Sequence, residues 1–257
     1  MSCMCDLFGL SCNYEDRANA SLDLFAKQTT DPKRRDRRQS THGWGIVWWN
    51  DRHRFQEVKA EDDLVKKPAK DNEEFYNAIE HAKSTNIIAH TRRASMGEKC
   101  GLNCHPFTTK YFGRYWAFAH NGTVKGVQRH QDSKGTTDSE DIFHVMMDHV
   151  KQDYDVGRSF GFIPALKSAI KKILYDYPGA SLNFLLSDGN MHYAYSNYPD
   201  RPICMLKRPF KTEGPAILLS TEKLDTFDSA NWKEIPQYRL LTINCGQIID
   251  LDDEEVR

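Results

Sequence analysis

Residues 181–197, SLNFLLSDGNMHYAYSN, decide how this chain must be read. An apolar run and an aromatic-rich run flank Asp188-Gly189, and both turn residues tolerate the backbone angles of a tight reversal. Residues 181–197 are therefore expected to form a β-hairpin. Just upstream, PALKSAIKKILYDY (164–177) carries apolar residues at helical spacing. So does TTDSEDIFHVMMDHVKQ (136–152), where Ile142, Phe143, Val145, Met146, Met147 and Val150 follow one face. Thr137 with Glu140 three residues on makes a capping box, which predicts a helix start near Thr137.

Strand-like runs stand on both sides of this helical pair. GWGIVWWN (43–50), NIIAHTRRA (86–94) and YWAFAHNGTV (115–124) precede it, and AILLST (216–221) and YRLLTINCGQIIDL (238–251) follow. Helices are also expected around 19–28 and, more weakly, in NEEFYNAIEHA (72–82). Strands, a central helix pair and then strands suggest a layered α+β arrangement. No boundary linker interrupts it, so residues 1–257 are expected to form a single domain.

Composition narrows the function. Formal net charge is −1, from 35 basic and 36 acidic side chains, which does not suggest a nucleic-acid or membrane-surface binder. The basic stretch DPKRRDRRQS (31–40) is expected to be a solvated loop rather than a phosphate-binding patch. No uncharged apolar run approaches the ~20 residues that span a bilayer. The 7 cysteines are odd in number and irregularly spaced, and MSCMCDLFGLSC lacks the pattern of a secretory signal. Free thiols in a cytoplasmic protein are the expectation.

Four short stretches carry chemistry. In AHTRRAS (89–95), an Arg at a strand end either grips a carboxylate bidentately or opens a solvated loop. In AHNG (119–122), Asn-Gly is a turn, or an amide beside a backbone N–H: two converging donors for an oxyanion. In TTDSE (136–140), Asp138 complements the helix dipole or binds a substrate ammonium. In CGLNCHPF (100–107), Cys100, Cys104 and His105 suggest a soft-metal set. Buried thiols and a His-Pro turn are the simpler account there, and neither a metal nor a cofactor is assigned.

MCDLFG (4–9), HGWGI (42–46), AHTRRAS, NCHPF (103–107), AHNG and TTDSE occur in this order and at about these spacings. That ladder resembles the class II glutamine amidotransferases, which belong to the N-terminal-nucleophile hydrolases. NFLLSDG (183–189) is similar to the stand-alone bacterial members. The resemblance implies a four-layer αββα sandwich of two antiparallel sheets between helices. It implies that Cys5 is the nucleophile and that Asn121 and the Gly122 N–H form the oxyanion hole. By the same resemblance Arg92 grips the α-carboxylate of glutamine, Asp138 holds its α-amine, and Ser95 takes the place of a substrate-side Thr. Arg93 stands where many synthase-linked members have Trp, and Met96 where they have His; both positions are expected to border the substrate.

The chemistry expected is release of ammonia from glutamine or a related γ-glutamyl compound through a γ-glutamyl thioester. The ammonia acceptor is expected to be a separate synthase subunit or none, with no nucleic acid or membrane involved. A terminal amine on Cys5 would act as the base, so residues 1–4 are expected to be absent from the mature chain. If they stay, the alternative is a catalytically silent binding or regulatory protein on the same fold.

Overall fold

The computed structural model describes residues 5–16, 18–30, 41–50, 54–64, 71–93, 98–155, 157, 161–208, 214–224, 231–251 and 255–257. In chain order the elements begin with β1 (Asp6–Asp16), α1 (Asn19–Thr30), β2 (Trp44–Trp49) and β3 (Phe55–Ala60). Next come α2 (Glu73–His81), β4 (Ser84–Thr91), a short 3-10 turn (Gly101–Asn103), β5 (Phe107–Tyr111) and β6 (Arg114–Thr123). The central helices are α3 (Asp138–Asp155) and α4 (Phe162–Asp176). After them run β7 (Ser181–Ser187), β8 (Met191–Ser196), β9 (Cys204–Arg208), β10 (Ala216–Ser220), β11 (Lys233–Glu234), β12 (Arg239–Asn244) and β13 (Gln247–Leu251).

Among the described residues the strands form two antiparallel sheets. One has seven strands in the order β11-β9-β10-β1-β4-β2-β3, the other six in the order β13-β12-β8-β7-β6-β5. Alternation along each strand sorts side chains into three apolar layers. Leu7, Val47 and Ile88 of the first sheet meet Ala117, Ala119, Leu185 and Ala194 of the second. Phe8, Leu10, Ile46 and Ile87 face the other way and pack with Leu22 and Phe25 of α1 and Phe75 and Ile79 of α2. Phe118, Phe184 and Tyr195 face outward from the second sheet onto Ile142, Phe143 and Met146 of α3 and Leu166 and Ile170 of α4. The result is the expected α+β, four-layer αββα sandwich. Burying each large apolar side chain in these layers contributes about 1.5–3 kcal/mol.

The 181–197 hairpin forms as β7 and β8, with Phe184 opposite Tyr195 and Ser187 opposite His192. Asp188 Oδ1 accepts the backbone N–H groups of Asn190 and Met191, at 3.1 and 2.8 Å, which closes the turn. Gly189 has φ +86, and a Cβ there would sit 2.5 Å from the Trp49 ring, so only glycine fits. The run 238–251 divides into β12 and β13 at Cys245-Gly246, both with positive φ. Strands β3, β5, β9 and β11 were not anticipated from the sequence. Residues 31–40 lie outside the described residues.

The capping box is only half formed. Thr137 Oγ1 accepts the Glu140 N–H at 3.3 Å. The Glu140 carboxylate does not return to Thr137; it accepts the N–H groups of Lys134 at 3.0 Å and Gly135 at 2.6 Å. A tight preceding loop competes successfully for that carboxylate. The loop, rather than the helix cap, gains the order.

Candidate active site

Antiparallel pairing brings one end of several strands together. Asp6, at the start of β1, lies opposite Thr91, at the end of β4. Cys5 therefore stands just before β1, beside Arg92 and Arg93 just beyond β4. Asn121 and Gly122 lie near the end of β6, and Asp138 is the first residue of α3. Elements far apart in sequence thus present the residues of the motif ladder on one end of the sandwich.

Cys5 is buried, and its thiol meets the backbone of Arg93 twice. The Arg93 N–H donates to Sγ at 3.2 Å, and the S–H faces the Arg93 carbonyl at 3.4 Å. A backbone N–H aimed at sulfur favours thiolate, whereas a carbonyl acceptor favours thiol. Asn121 Nδ2 donates to the Cys5 carbonyl at 2.6 Å. One amide hydrogen remains on Nδ2, and Asn121 Oδ1 is buried without a hydrogen-bond partner. Gly122 lies opposite Leu182 of β7, and a Cβ there would be 2.0 Å from the Ser181 carbonyl oxygen. No side chain fits there, so the Gly122 peptide keeps its close approach.

The backbone of Arg92 is fixed by residues 42–43: its N–H donates to the Gly43 carbonyl, and its carbonyl accepts the His42 N–H, both at 2.8 Å. Gly43 has φ +125, with the Cys104 sulfur 2.3 Å from where its Cβ would be. Arg92 is buried, and its positive charge helps lower the pKa of His42, His90 and His105, after burial as the main cause. Asp138 Oδ2 accepts the Val124 N–H at 2.8 Å, tying the chain leaving β6 to the start of α3.

Arg93 Nη2 donates to the Thr29 carbonyl of α1 at 2.6 Å, while the Arg93 backbone borders the Cys5 sulfur. The last carbonyls of a helix lack partners within it and attract a cation. Ser95 and Met96 lie outside the described residues, as do residues 1–4. In the 100–107 stretch, Cys104 Sγ packs against the carbonyls of Ala60 at 3.5 Å and Cys100 at 3.7 Å. Burial pushes its thiol up to about 11. His105 Nδ1 accepts the His120 N–H at 3.1 Å. These contacts account for Cys104 and His105 by packing and hydrogen bonding.

A histidine layer and a buried ion pair escaped the sequence reading. His90 and His105 stack at 4.1 Å between the sheets, and burial lowers His90 to about 3 and His105 well below its ordinary value. His120 is held neutral by burial, against the opposing pull of Asp138, and bridges Ser139 Oγ and the Ser181 carbonyl at 2.9 Å each. Asp6, next to Cys5, accepts from Arg201 at 2.9 Å and from Thr29 Oγ1 at 3.0 Å. Thr221 Oγ1 accepts the Leu7 N–H at 3.0 Å. Together these hold the strand end that carries Cys5. Asp6 adjoins a predicted nucleophile, but nothing local points to a partner 195 positions away.

An αββα sandwich of two antiparallel sheets, with a buried cysteine at a strand end held by Asn121 of the facing sheet, has the architecture of the N-terminal-nucleophile class. Within it, the profile of the class-II glutamine amidotransferases matches residues 4–214, and the chain belongs to that family. It is 32% identical over 207 residues to an uncharacterized protein of Methanocaldococcus jannaschii, covering 77% of this chain and 52% of that one. It is 30% identical over 213 residues to a Haemophilus influenzae protein provisionally named a glutamine amidotransferase, covering 76% and 67%. The chain thus spans about half the length of the first relative and two thirds of the second.

Among solved structures, a Pseudomonas aeruginosa protein titled a predicted glutamine amidotransferase superposes with a TM-score of 0.64 at 20% identity, covering 95% of this chain and 99% of that one. Glutamine phosphoribosylpyrophosphate amidotransferase of Bacillus subtilis gives 0.63 at 18%, covering 98% and 49%. Identities this low speak to the fold. Among the described residues, no helix is long and apolar enough to cross a membrane.

Proposed function

We propose that residues 1–257 act as one glutamine amidotransferase domain that hydrolyses the side-chain amide of glutamine or a related γ-glutamyl compound, with Cys5 as nucleophile. The observation that carries this reading is the Asn121 amide 2.6 Å from the Cys5 carbonyl, with the Arg93 N–H 3.2 Å from the Cys5 sulfur. An amide donor is thereby tied to the residue that would attack.

A thiol near pKa 8.5 is only a few per cent thiolate at neutral pH, so it needs a base. An α-amine titrates at about 7.7–8.0 and can take the thiol proton when Cys5 begins the chain. Sulfur then bonds the amide carbon, and the oxygen that gains the electron pair is met by the Asn121 amide and the Gly122 N–H. The amine returns its proton to the leaving nitrogen, the C–N bond breaks, and ammonia departs. Water attacks the thioester, frees glutamate and restores the thiol. Arg92 and Asp138 act by holding the carboxylate and ammonium of the amino-acid head, and Ser95 lines the substrate. A separate ammonia-accepting synthase subunit is the partner this chemistry implies, and a cytoplasmic setting suits free thiols.

With a peptide bond still preceding Cys5, the amine is an amide nitrogen and cannot serve as base. The fold would then act in binding or regulation. Intact mass, paired with ammonia and glutamate release from glutamine and γ-glutamyl amides, separates the two. A chain beginning at Cys5 whose activity is lost in Cys5→Ala supports hydrolysis. A chain beginning at Cys5 that releases neither product refutes it.

A further inference from the structure

Beside edge strand β5, whose Tyr111 reaches Asp148 of α3, the loop that leads into Asp138 carries a cluster the proposed reaction does not use. We propose that His130, Asp132 and His144 bind one divalent transition-metal ion, zinc by the chemistry of the donors. One ligand atom from each residue lies within 4.8 Å of the others. Two imidazoles and a carboxylate are a zinc-type set rather than a magnesium or calcium set, and three protein ligands leave a position for water.

The surrounding groups are arranged as they are behind a metal-binding histidine. His130 Nε2 meets Asp148 Oδ2 at 3.0 Å, and Asp148 Oδ1 accepts from the Tyr111 hydroxyl at 3.1 Å. A carboxylate at Nε2 places the proton there and leaves Nδ1 as the acceptor nitrogen, the relation that fixes ligating imidazoles, and the ion would displace its present partner. Nδ1 accepts the Asp132 N–H at 3.1 Å, and Asp132 Oδ2 is 3.9 Å away. Zinc bonds of ~2.0–2.2 Å need donor atoms somewhat closer than that. The Asp132 side chain is 61% exposed and can rotate to supply the difference.

A simple His–Asp ion pair accounts for His130 but not for His144. The His144 ring lies near-parallel to His130 at 5.0 Å, so one ring turns for both to reach a single ion, and His144 Nδ1 is buried without a hydrogen-bond partner. The loop is already pinned to α3 by Asp141 Oδ1, which accepts from the His130 N–H at 2.9 Å and Ser133 Oγ at 2.6 Å. An ion bridging His130 and Asp132 to His144 adds a cross-link between this loop and the helix that begins with Asp138.

The test titrates cobalt(II), then zinc, into metal-free full-length protein, reading visible absorbance and thermal midpoint. One saturating equivalent, no thiolate-to-cobalt charge-transfer band and a raised midpoint are expected. Asp132→Ala, at an exposed position, should weaken binding at least tenfold, and His144→Asn should abolish it. Circular dichroism confirms that each variant is folded; were His144→Asn to unfold, Asp132→Ala and His130→Ala decide the matter. Unsaturable binding, a thiolate band, or equal affinity in Asp132→Ala and His130→Ala would overturn the proposal.

Discussion

The Asn121 side-chain amide donates a 2.6 Å hydrogen bond to the Cys5 carbonyl, across 116 positions of sequence and from one sheet to the other. The bond fixes where the proposed oxyanion donor stands relative to the proposed nucleophile, because a single amide nitrogen serves both. Its second hydrogen remains for a substrate oxygen.

Asn121→Ala should therefore lower kcat for glutamine hydrolysis by ~10²–10³, the usual effect of losing one oxyanion donor. KM should change far less, since the amino-acid head is held elsewhere. Steady-state ammonia release measures both constants. A kcat within tenfold of the parent protein would remove Asn121 from the oxyanion role.

The sequence disclosed those parts of the fold that depend on near neighbours. Asp188-Gly189 marked the β7–β8 hairpin because the turn chemistry is contained in two residues, and α3 and α4 showed their buried faces as periodicity. Short strands such as β9, with only five residues, carry too few alternations to stand out. At the site, motif order singled out Cys5 and Asn121, and the structure places the Asn121 amide against the Cys5 carbonyl. The direction of Arg93 was not legible, because it depends on where the last turn of α1 lands. The Asp6–Arg201 pair was hidden for the same reason: burial and sequence-distant charges become visible only once the sheets are assembled.

The inter-sheet histidines make the fold acid-sensitive. Burial lowers His192 from the ordinary 6.5 to about 3, and its Nδ1–H donates to Asn86 Oδ1 at 3.1 Å. Above pH 6.5 the ring is neutral in both states and its contribution to stability is complete. Below that, the unfolded chain takes up a proton that the folded chain refuses, so stability drains away down to about pH 3. His90 behaves in the same direction over the same window. Thermal midpoints measured from pH 7.5 to 4.5 should fall, and the fall should be shallower in His192→Gln, which removes one such titration. Parallel curves for the two proteins would show that His192 does not contribute.

Arg92 and Arg93 are adjacent, yet their side chains are predicted to fail in different ways when removed. Arg92 is the proposed grip on the substrate carboxylate, and Arg93 Nη2 donates to the Thr29 carbonyl at 2.6 Å. Truncating one member of a buried charge pair costs about 2–5 kcal/mol, roughly 30-fold to a few thousand-fold in affinity. Arg92→Met should therefore raise KM for glutamine by at least 30-fold. The increase should shrink for an analogue whose α-carboxylate is replaced by a neutral amide, because there is then no anion to lose. Arg93→Met should leave KM within a few-fold and lower the thermal midpoint, since it strips a helix-terminal carbonyl of a charged donor. The readings separate because substrate affinity and melting respond to different groups. Should Arg93→Met raise KM as much as Arg92→Met, the substrate would have to reach the Arg93 side chain after all. Its placement against α1 would then describe a state that glutamine displaces.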